Sequence, residues 1–486
     1  MKPTLSLFVP LMVVLAAGAG SAQVSGPQLS AGAGQLPVGQ SSGSVLATGT
    51  PSMFLGGVPS GQATPDVLPL SLGDAVARGL KQNLGLLIGE QATRMADAGR
   101  WAALSALLPS VTAGIRETRE KINLEAYGVP IPPGANPLVG PFNVFDARAQ
   151  VVQSVFDYGA IENARAGSAS AAAAKYSYRD ARDLVVFVTT NLYLRAVIGA
   201  SRIEAARAQL QTAGAVYTRA VNMKNAGTVP GIEVLRAQVQ MQDQQQRLIV
   251  YENEFAKQKL QLARAIGLPL AQRFDLIDAV RYAPLPPTTV EDGLKQAYES
   301  RADLQSLNAQ LKAAEAGRRA AFGTNLPSVA VAADYGDIGQ TIGSAKATYT
   351  LTAAVRVPIF EGGRARARML EADAVVRDQR ARLEDLRARI EYEVRSALLD
   401  VKAADDRVQV AQSAVGLANQ QVAQAQDRFA AGVASNLEVV QAQEAVATAT
   451  ENYLSSLHAH NAAKIALARA LGQGESKLER FLGGAK

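Results

Sequence analysis

The chain has no cysteine, two histidines and one tryptophan among its 486 residues, and aromatic residues make up only 5%. The absence of cysteine excludes disulfides and leaves no thiol for a lipid anchor. It also excludes Cys/His nucleophiles and zinc clusters of cysteine and histidine. His458 and His460 lie two apart in a helical stretch, so they face different sides and suit one ion poorly. We therefore expect neither an enzyme nor a bound metal or cofactor.

Blocks of like charge are also scarce. The net charge is +6, with 49 basic and 43 acidic residues dispersed along the chain. No basic stripe is present, so we expect no nucleic-acid partner. The acidic residues Asp405, Asp406, Glu391 and Glu393 fall in polar helix faces, where we expect them to be solvated.

A long apolar run occurs only at the N-terminus. The run Leu5 to Ala17 follows Met1-Lys2 and precedes the small residues Gly20-Ser21-Ala22, so residues 1–22 are predicted to be a signal peptide. No later run of 18 apolar residues is evident, and we expect no transmembrane helix. Residues 23–66 are rich in Gly, Ser, Gln, Pro and Ala, which predicts a flexible leader.

The sequence contains an internal repeat. Two similar halves, residues 67–269 and 290–472, are joined by a linker at 270–289 and followed by a tail at 473–486. The paired motifs are Leu108-Pro109-Ser110 with Leu326-Pro327-Ser328, Phe156-Asp157-Tyr158-Gly159 with Phe360-Glu361-Gly362-Gly363, and Leu262 to Gly267 with Leu467 to Gly472. The first half has gained about fourteen residues around Tyr127 to Pro141.

A further pair of motifs occurs where the long helices are expected to turn. Ala226-Gly227 precedes Glu233-Val234-x-x-Ala237-Gln238, and Ala431-Gly432 precedes Glu438-Val439-x-x-Ala442-Gln443 with the same spacing. Each half is therefore predicted to run helix, two strands, long helix, turn and helix.

The four predicted strands alternate apolar and polar residues. Their apolar positions are Val111, Ala113 and Ile115; Phe145, Ala147, Ala149 and Val151; Val329, Val331, Ala333 and Tyr335; and Tyr349, Leu351, Ala353, Val355 and Val357. Segments of about ten residues cross a bilayer when tilted in a barrel. An ordinary sheet with one wet face fits the same pattern. Because four strands cannot close a membrane barrel, the membrane interpretation requires several chains to share one.

The helices that follow the strands show a heptad pattern, which predicts coiled coils. The large residues of the second half are Val394, Val401, Val408, Val415, Val422 and Phe429. The segment Gly363 to Gly432 would be roughly 100 Å long and the return from Ser435 to Gly472 roughly 55 Å. The segments Ser71 to Leu107 and Val290 to Asn325 are each predicted to be one helix of roughly 55 Å. Two half-length helices then stack along each long helix, with the strands at one end and the paired turns at the other.

With these motifs duplicated and in order, residues 67–472 resemble the outer-membrane efflux proteins, the TolC-like channel-tunnels of Gram-negative envelopes. The resemblance implies a mostly α-helical fold with a small β part. It further implies a homotrimer whose twelve strands form one transmembrane β-barrel, embedded in outer-membrane lipid and continued by an α-helical coiled-coil tunnel across the periplasm. The absence of cysteine departs from the lipid-anchored members, so the barrel would be the anchor.

Such trimers act as passive exit ducts of tripartite efflux or type I secretion systems. The resemblance therefore implies two partners, a periplasmic adaptor and an inner-membrane pump that supplies the energy. The alternative is a soluble periplasmic coiled-coil scaffold or adaptor. An adaptor would need β-rich modules flanking one hairpin, whereas this chain has two hairpins and two strand pairs in tandem.

The paired turns are predicted to lie at the periplasmic tip. Gly432 suits a helix end, and Ser435 and Glu438 fit a capping box. The resemblance also places Glu438, Gln441 and Glu233 at the periplasmic gate, with Phe429 where a tyrosine would be expected. We predict a gate with a single acidic ring. Whether Glu438 only caps the helix or also narrows the pore is left open by the sequence.

The same turns carry small residues that would permit close approach by the adaptor's helical hairpin. These predicted docking residues are Ala226, Gly227, Thr228, Ala431, Gly432 and Val433. A compact helical turn explains them equally well, so the docking role is also open.

Overall fold

The structure, a computed structural model, describes residues 52–475 except 129, 280, 281, 287 and 432, and also residue 481. The predicted signal peptide, most of the predicted leader and Gly432 therefore lie outside the described residues. The predicted tail is described only to residue 475 and at Phe481.

The elements follow the predicted order in both halves. The first half contains β1 (Leu68–Leu70), α1 (Leu72–Gln82), α2 (Leu84–Ser105), β2 (Ser110–Asn123), β3 (Leu138–Phe156), α3 (Tyr158–Asn225), α4 (Gly231–Ala265) and β4 (Phe274–Leu276). The second half contains α5 (Val290–Ser300), α6 (Ala302–Gly323), β5 (Ser328–Gly339), β6 (Lys346–Arg356), α7 (Arg364–Ala430) and α8 (Asn436–Ala470). A mostly helical fold with a small β part is confirmed.

Each half contains a long helix and a return helix of half its length, as predicted. α3 has 68 residues and α4 has 35, while α7 has 67 and α8 has 35. At about 1.5 Å per residue the long helices extend roughly 100 Å. The heptad pattern of α7 corresponds to its buried side: Val394, Val408 and Phe429 are buried, and alanines fill the positions between them. Small residues at these positions allow the helices to approach closely.

The helix before each strand pair is broken, so the prediction of a single helix there was wrong. Asn83 separates α1 from α2 with φ −66° and ψ 131°, and Arg301 separates α5 from α6 with φ −66° and ψ 122°. Both residues have extended backbone, which interrupts the helical hydrogen bonds. Small or apolar residues at helical spacing continue across each break, so the periodicity gave no sign of one. They run from Ala75 and Gly79 to Leu86 and from Gly293 and Ala297 to Leu304.

Buried polar contacts hold both breaks. The Asn83 side chain donates to the carbonyl of Phe54 at 2.8 Å and accepts from the amide of Gly85 at 2.9 Å. Arg301 donates from Nη2 to Asp303 at 2.7 Å and also pairs with Glu393. We had expected Glu393 to be solvated. This expectation was wrong, because Glu393 is the ion-pair partner of Arg301.

The four longer strands form one antiparallel sheet in the order β2-β3-β5-β6. The first hairpin is longer than the predicted ten residues, since β2 has 14 residues and β3 has 19, whereas β5 has 12 and β6 has 11. The extra residues of the first half lie at the far end of this hairpin. All four helix connections, to α2, α3, α6 and α7, lie at the opposite end of the sheet.

A second, two-stranded parallel sheet of β1 and β4 was not predicted. It pairs Leu68 with Phe274 and thereby ties the segment before α1 to the linker between the halves. The hydroxyl of Tyr193 on α3 reinforces it by sharing its one proton between two acceptors, the carbonyl of Leu70 at 2.9 Å and the carboxylate of Asp278 at 2.8 Å. These contacts lie near the middle of the long helices.

Among the described residues one helix, α3, is long and apolar enough to cross a membrane by length and composition alone. An 18-residue window of α3 has a mean hydropathy of 1.5, and 72% of that window is buried against the rest of the protein. Val188, Leu192 and Val197 of this helix pack in the core of the first half. The burial is that of a core helix.

Candidate functional site: the two-faced sheet and the helical tip

The antiparallel sheet has an apolar face that is open. Pairing across the strands places the predicted apolar positions on one side, because Ile115 faces Ala147, Ala149 faces Tyr335 and Ala333 faces Leu351. Several large apolar side chains of this face are mostly exposed. Their exposed fractions are 67% for Val111, 79% for Ile115, 65% for Tyr335, 79% for Tyr349, 72% for Leu351 and 68% for Val355. No described element covers this face.

The opposite face of the sheet is polar, and on both faces the side chains of the central strands β3 and β5 are less exposed than those of β2 and β6. Arg148 on β3 forms ion pairs with Asp146 at 2.7 Å and with Asp334 on β5 at 2.8 Å. All three side chains are less than one-third exposed. Thr348, on the same face of β6, donates to the carbonyl of Gly336 at 3.2 Å. A sheet with an uncovered face of large apolar side chains, and with its charges paired on the other face, reverses the arrangement of a water-soluble protein.

Both edges of this sheet are open within the described residues. β2 pairs only with β3, and β6 pairs only with β5. The outer sides of β2 and β6 therefore present rows of backbone donors and acceptors without partners. Such edges invite pairing with further strands.

At the other end of the long helices, the two turns have matching backbone geometry. The amide of Thr228 donates to the carbonyl of Met223 at 2.9 Å, and the amide of Val433 donates to the carbonyl of Arg428 at 3.0 Å. Gly227 has φ 71°, a left-handed conformation that favours glycine. The predicted docking residues Ala226, Gly227, Thr228, Ala431 and Val433 are all exposed.

Ser435 occupies the N-cap of α8, but the predicted capping box is not formed. Its side chain makes no capping hydrogen bond. The Glu438 carboxylate is directed elsewhere: it accepts from Nε of Arg428 on α7 at 3.3 Å. The physical reason is that a guanidinium across the turn provides a charged partner for Glu438, which the amide at the N-cap does not. The prediction of reciprocal capping by Ser435 and Glu438 was wrong.

The other predicted gate residues lie in different environments. Gln441 is exposed, whereas Glu233 is 8% exposed and pairs with Arg236 at 2.8 Å. Phe429 is 4% exposed and packs with Val439 and neighbouring residues in the core of the tip. The structure thus leaves Glu438 and Gln441 accessible and encloses Glu233 and Phe429 within the protomer.

Two ion pairs between the halves were missed by sequence reasoning. Arg202 on α3 pairs with Glu451 on α8 at 2.6 Å, and Arg247 on α4 pairs with Glu444 on α8 at 2.7 Å. They lie beside a groove of about 510 Å³ between these three helices. The partners are about 200 or more residues apart in sequence, so no local pattern could have connected them.

The family described as outer membrane efflux protein matches residues 77–268 and 293–473. The chain belongs to the outer membrane efflux protein family. The two matched segments correspond to the two halves of the repeat and together cover most of the chain. Membership confirms the family predicted from the paired motifs, a family of outer-membrane transport proteins and not of enzymes. It also decides against the soluble adaptor.

Individual relatives of this efflux protein are distant in sequence. The pyoverdine export outer membrane protein OpmQ of Pseudomonas putida is 24% identical over 285 residues, which is 58% of this chain and 60% of OpmQ. This chain therefore aligns with less than two thirds of that curated relative.

Solved structures show the same fold. The outer membrane channel CmeC of Campylobacter jejuni has a TM-score of 0.73 at 16% identity, with 93% of this chain and 98% of CmeC covered. The outer membrane protein VceC of Vibrio cholerae has a TM-score of 0.72 at 18% identity, with 82% of this chain and 96% of VceC covered. At these identities the likeness establishes the fold of the efflux protein.

Proposed function

We propose that three copies of this efflux protein form an exit duct through the outer membrane. Each copy contributes four strands to one twelve-stranded barrel, and the long helices continue the duct into the periplasm. The duct is passive, and its substrates arrive from a periplasmic adaptor and an inner-membrane pump. The specificity for substrate then lies largely with the pump.

The observation that carries this proposal is the exposed apolar face of a sheet with two open edges. Leu351 and Tyr349 would cost free energy in water, roughly 25 cal/mol for each square ångström of apolar surface. In lipid the same face is favourable, and the paired charges Arg148, Asp146 and Asp334 face the lumen instead. Open edges are not tolerated in lipid, so β2 of one copy must pair with β6 of the next to close the barrel.

We propose that the tip contains a gate with one acidic ring formed by Glu438, with Gln441 beside it. Three symmetry-related carboxylates around a pore favour cations. Arg428 reduces this field, because its guanidinium lies beside the carboxylate. Glu233 and Phe429 support the tip from within the protomer. The pairs Arg202–Glu451 and Arg247–Glu444 join the two hairpins further along the tunnel.

The exposed tip turns are the proposed docking points for the adaptor. Ala226, Gly227 and Thr228 of the first turn and Ala431 and Val433 of the second present little side-chain bulk. In a Gly227→Trp variant the new Cβ meets no neighbouring atom of the protomer within 4 Å, although the left-handed φ of 71° strains the turn. If this variant still assembles and complements efflux, close docking at that turn is wrong.

Fractionation and heat modification test the duct. We expect the full chain in the outer-membrane fraction, resistant to carbonate extraction, as a trimer that dissociates on boiling. Purified protein should then conduct ions in planar bilayers. A protein that carbonate releases as a soluble monomer would contradict the proposal.

A further inference from the structure

An apolar and basic patch lies where the last strand of the sheet passes into α7. Ile359 and Phe360 are 95% and 87% exposed. Arg364, Arg366 and Arg368 follow in the first turns of the helix and are also exposed. We call these five residues the junction patch. None of the three arginines forms an ion pair with a described residue.

Arginines further along α7 behave differently. Arg382, Arg389 and Arg395 each pair with an acid one turn away, at 2.9, 2.8 and 2.8 Å. The acids nearest to these arginines in sequence are Glu361 and Glu371, so residues 357–371 contain three arginines against two carboxylates. The patch therefore carries a net positive charge that the protomer does not neutralise.

The matching junction of the first half shows that folding does not require these arginines. There Asp157 caps α3 by accepting from the amide of Ala160 at 2.9 Å, and the buried Glu162 pairs with Arg319 at 2.7 Å. Acids are the stabilising choice at a helix start, because the helix dipole is positive there. α7 has no acid in its first turn, and its N-cap Gly363 offers no side chain. The arginines at the start of α7 oppose the helix dipole, and no contact among the described residues of the protomer offsets that cost. Such exceptions to local sequence preference are expected at functional sites.

The apolar part of the patch continues the lipid-facing surface of the sheet. Val355 and Val357 on that face are 68% and 55% exposed, and Ile359 follows directly. Arg356, the last residue of β6, pairs with Ser328, the first residue of β5. The junction patch therefore lies at the end of the sheet where the helices attach, which in the proposed duct is the periplasmic side.

We propose that the junction patch binds an anionic glycerophospholipid in the membrane leaflet that faces the periplasm. Ile359 and Phe360 insert beside the acyl chains, and the arginines hold the phosphate, for which a guanidinium provides paired donors. Basic clusters next to a membrane surface attract anionic lipid over zwitterionic lipid. This inference rests on the proposed function, since it requires the sheet to lie in the outer membrane.

Lipid retention tests the inference on the full chain. The protein is reconstituted into vesicles of phosphatidylethanolamine and phosphatidylglycerol, re-extracted in mild detergent, and its retained lipids are counted by native mass spectrometry. We expect phosphatidylglycerol to be enriched about threefold or more over its share in the vesicles. In the triple variant Arg364→Gln, Arg366→Gln, Arg368→Gln the enrichment should disappear. The matched control Arg382→Gln, Arg389→Gln, Arg395→Gln removes the same charge from the same helix and should keep it.

Two outcomes overturn the inference: no enrichment in the wild type, or equal enrichment in the triple variant. If the arginines instead bind acids of a neighbouring copy, the triple variant should dissociate at lower temperature and the wild type should show no enrichment. A trimer that sits in the outer membrane without lipid preference contradicts the junction patch alone. Failure to form a membrane trimer contradicts the proposed function.

Discussion

The guanidinium of Arg428 on α7 lies 3.3 Å from the carboxylate of Glu438 on α8, so one ion pair spans the second turn of the tip. The two side chains are 58% and 45% exposed. A pair this exposed contributes about 0–1 kcal/mol to stability. Its larger effect is on the field at the tip, because an adjacent positive charge offsets that of the carboxylate.

Removing each partner should therefore change ion selectivity in opposite directions. We expect Arg428→Gln to raise cation selectivity and Glu438→Gln to lower it, as measured by reversal potentials in planar bilayers under a salt gradient. The double variant should lie between the two single variants and near the wild type, since it removes one positive and one negative charge from the same place. Glu391→Gln, which likewise removes an acid paired with an arginine, Arg395, at a partly exposed position away from the tip, is the control. Unchanged conductance and selectivity in Glu438→Gln would remove Glu438 from the gate.

The two faces of β6 predict opposite responses to a new charge. Leu351→Lys places an ammonium on the exposed apolar face, and in lipid this should cost about 2–4 kcal/mol near the bilayer midplane. Thr352→Lys, at the next residue, places it on the polar face and should cost much less. The yield of heat-dissociable trimer in the outer membrane and its denaturation in urea measure the difference. Equal tolerance of both variants would indicate a sheet in water.

The duplicated sequence made the fold predictable to a large extent. The motif at Phe360 to Gly363 located the start of α7, and the alternation in Tyr349 to Val357 defined the apolar face of β6. Both patterns are local, and each is repeated about 200 positions away, so an error in one half would conflict with the other. Element order and helix lengths follow from them.

Contacts between distant residues were not predictable in this way. The breaks at Asn83 and Arg301 depend on partners far away in sequence, and helical periodicity continues through both. The capping box at Ser435 failed because Arg428, on the preceding helix, competes for Glu438. At the tip, sequence spacing located Glu233 and Glu438 at equivalent places, yet one is enclosed and the other accessible. The sequence repeat predicts equivalent positions in the two halves. Whether a residue is buried there depends on which side chains pack around it in each half.

The break between α1 and α2 should depend on the side chain of Asn83. Asn83→Ala removes the cap on Gly85 and leaves the buried carbonyls of Phe54 and Ala265 without this donor. A lost cap costs about 1 kcal/mol and each unsatisfied buried group about 1–3 kcal/mol. We expect the free energy of unfolding to fall by at least about 3 kcal/mol in urea denaturation followed by circular dichroism. The exposed Asn325→Ala should change it by less than about 0.5 kcal/mol, and a similar loss in both variants would contradict the role given to Asn83.

Lys464 on α8 is fully buried, and its ammonium donates to the carbonyl of Ala283 in the linker at 2.8 Å. Burial lowers the pKa of Lys464 to about 8 from its ordinary 10.5, although Asp405 opposes the shift. Between these two values the unfolded chain holds a proton that the folded chain has released. Stability conferred at this site therefore rises with pH across that window, and the full penalty for burying the charge applies below it.

Lys464→Met should remove this pH dependence. We compare the free energy of unfolding of the variant with that of the wild type at each pH. The difference, variant minus wild type, should fall by on the order of 1–3 kcal/mol between pH values of about 7.5 and 10, because only the wild type gains stability in this range. The lost bond to Ala283 adds a cost at every pH and does not alter the slope. Measurements start above the range in which the neighbouring His460 titrates, since burial holds the pKa of His460 below its ordinary 6.5. Lys402→Met, at an exposed position on α7, should show no such change, and identical pH profiles for wild type and Lys464→Met would show that Lys464 remains charged when buried.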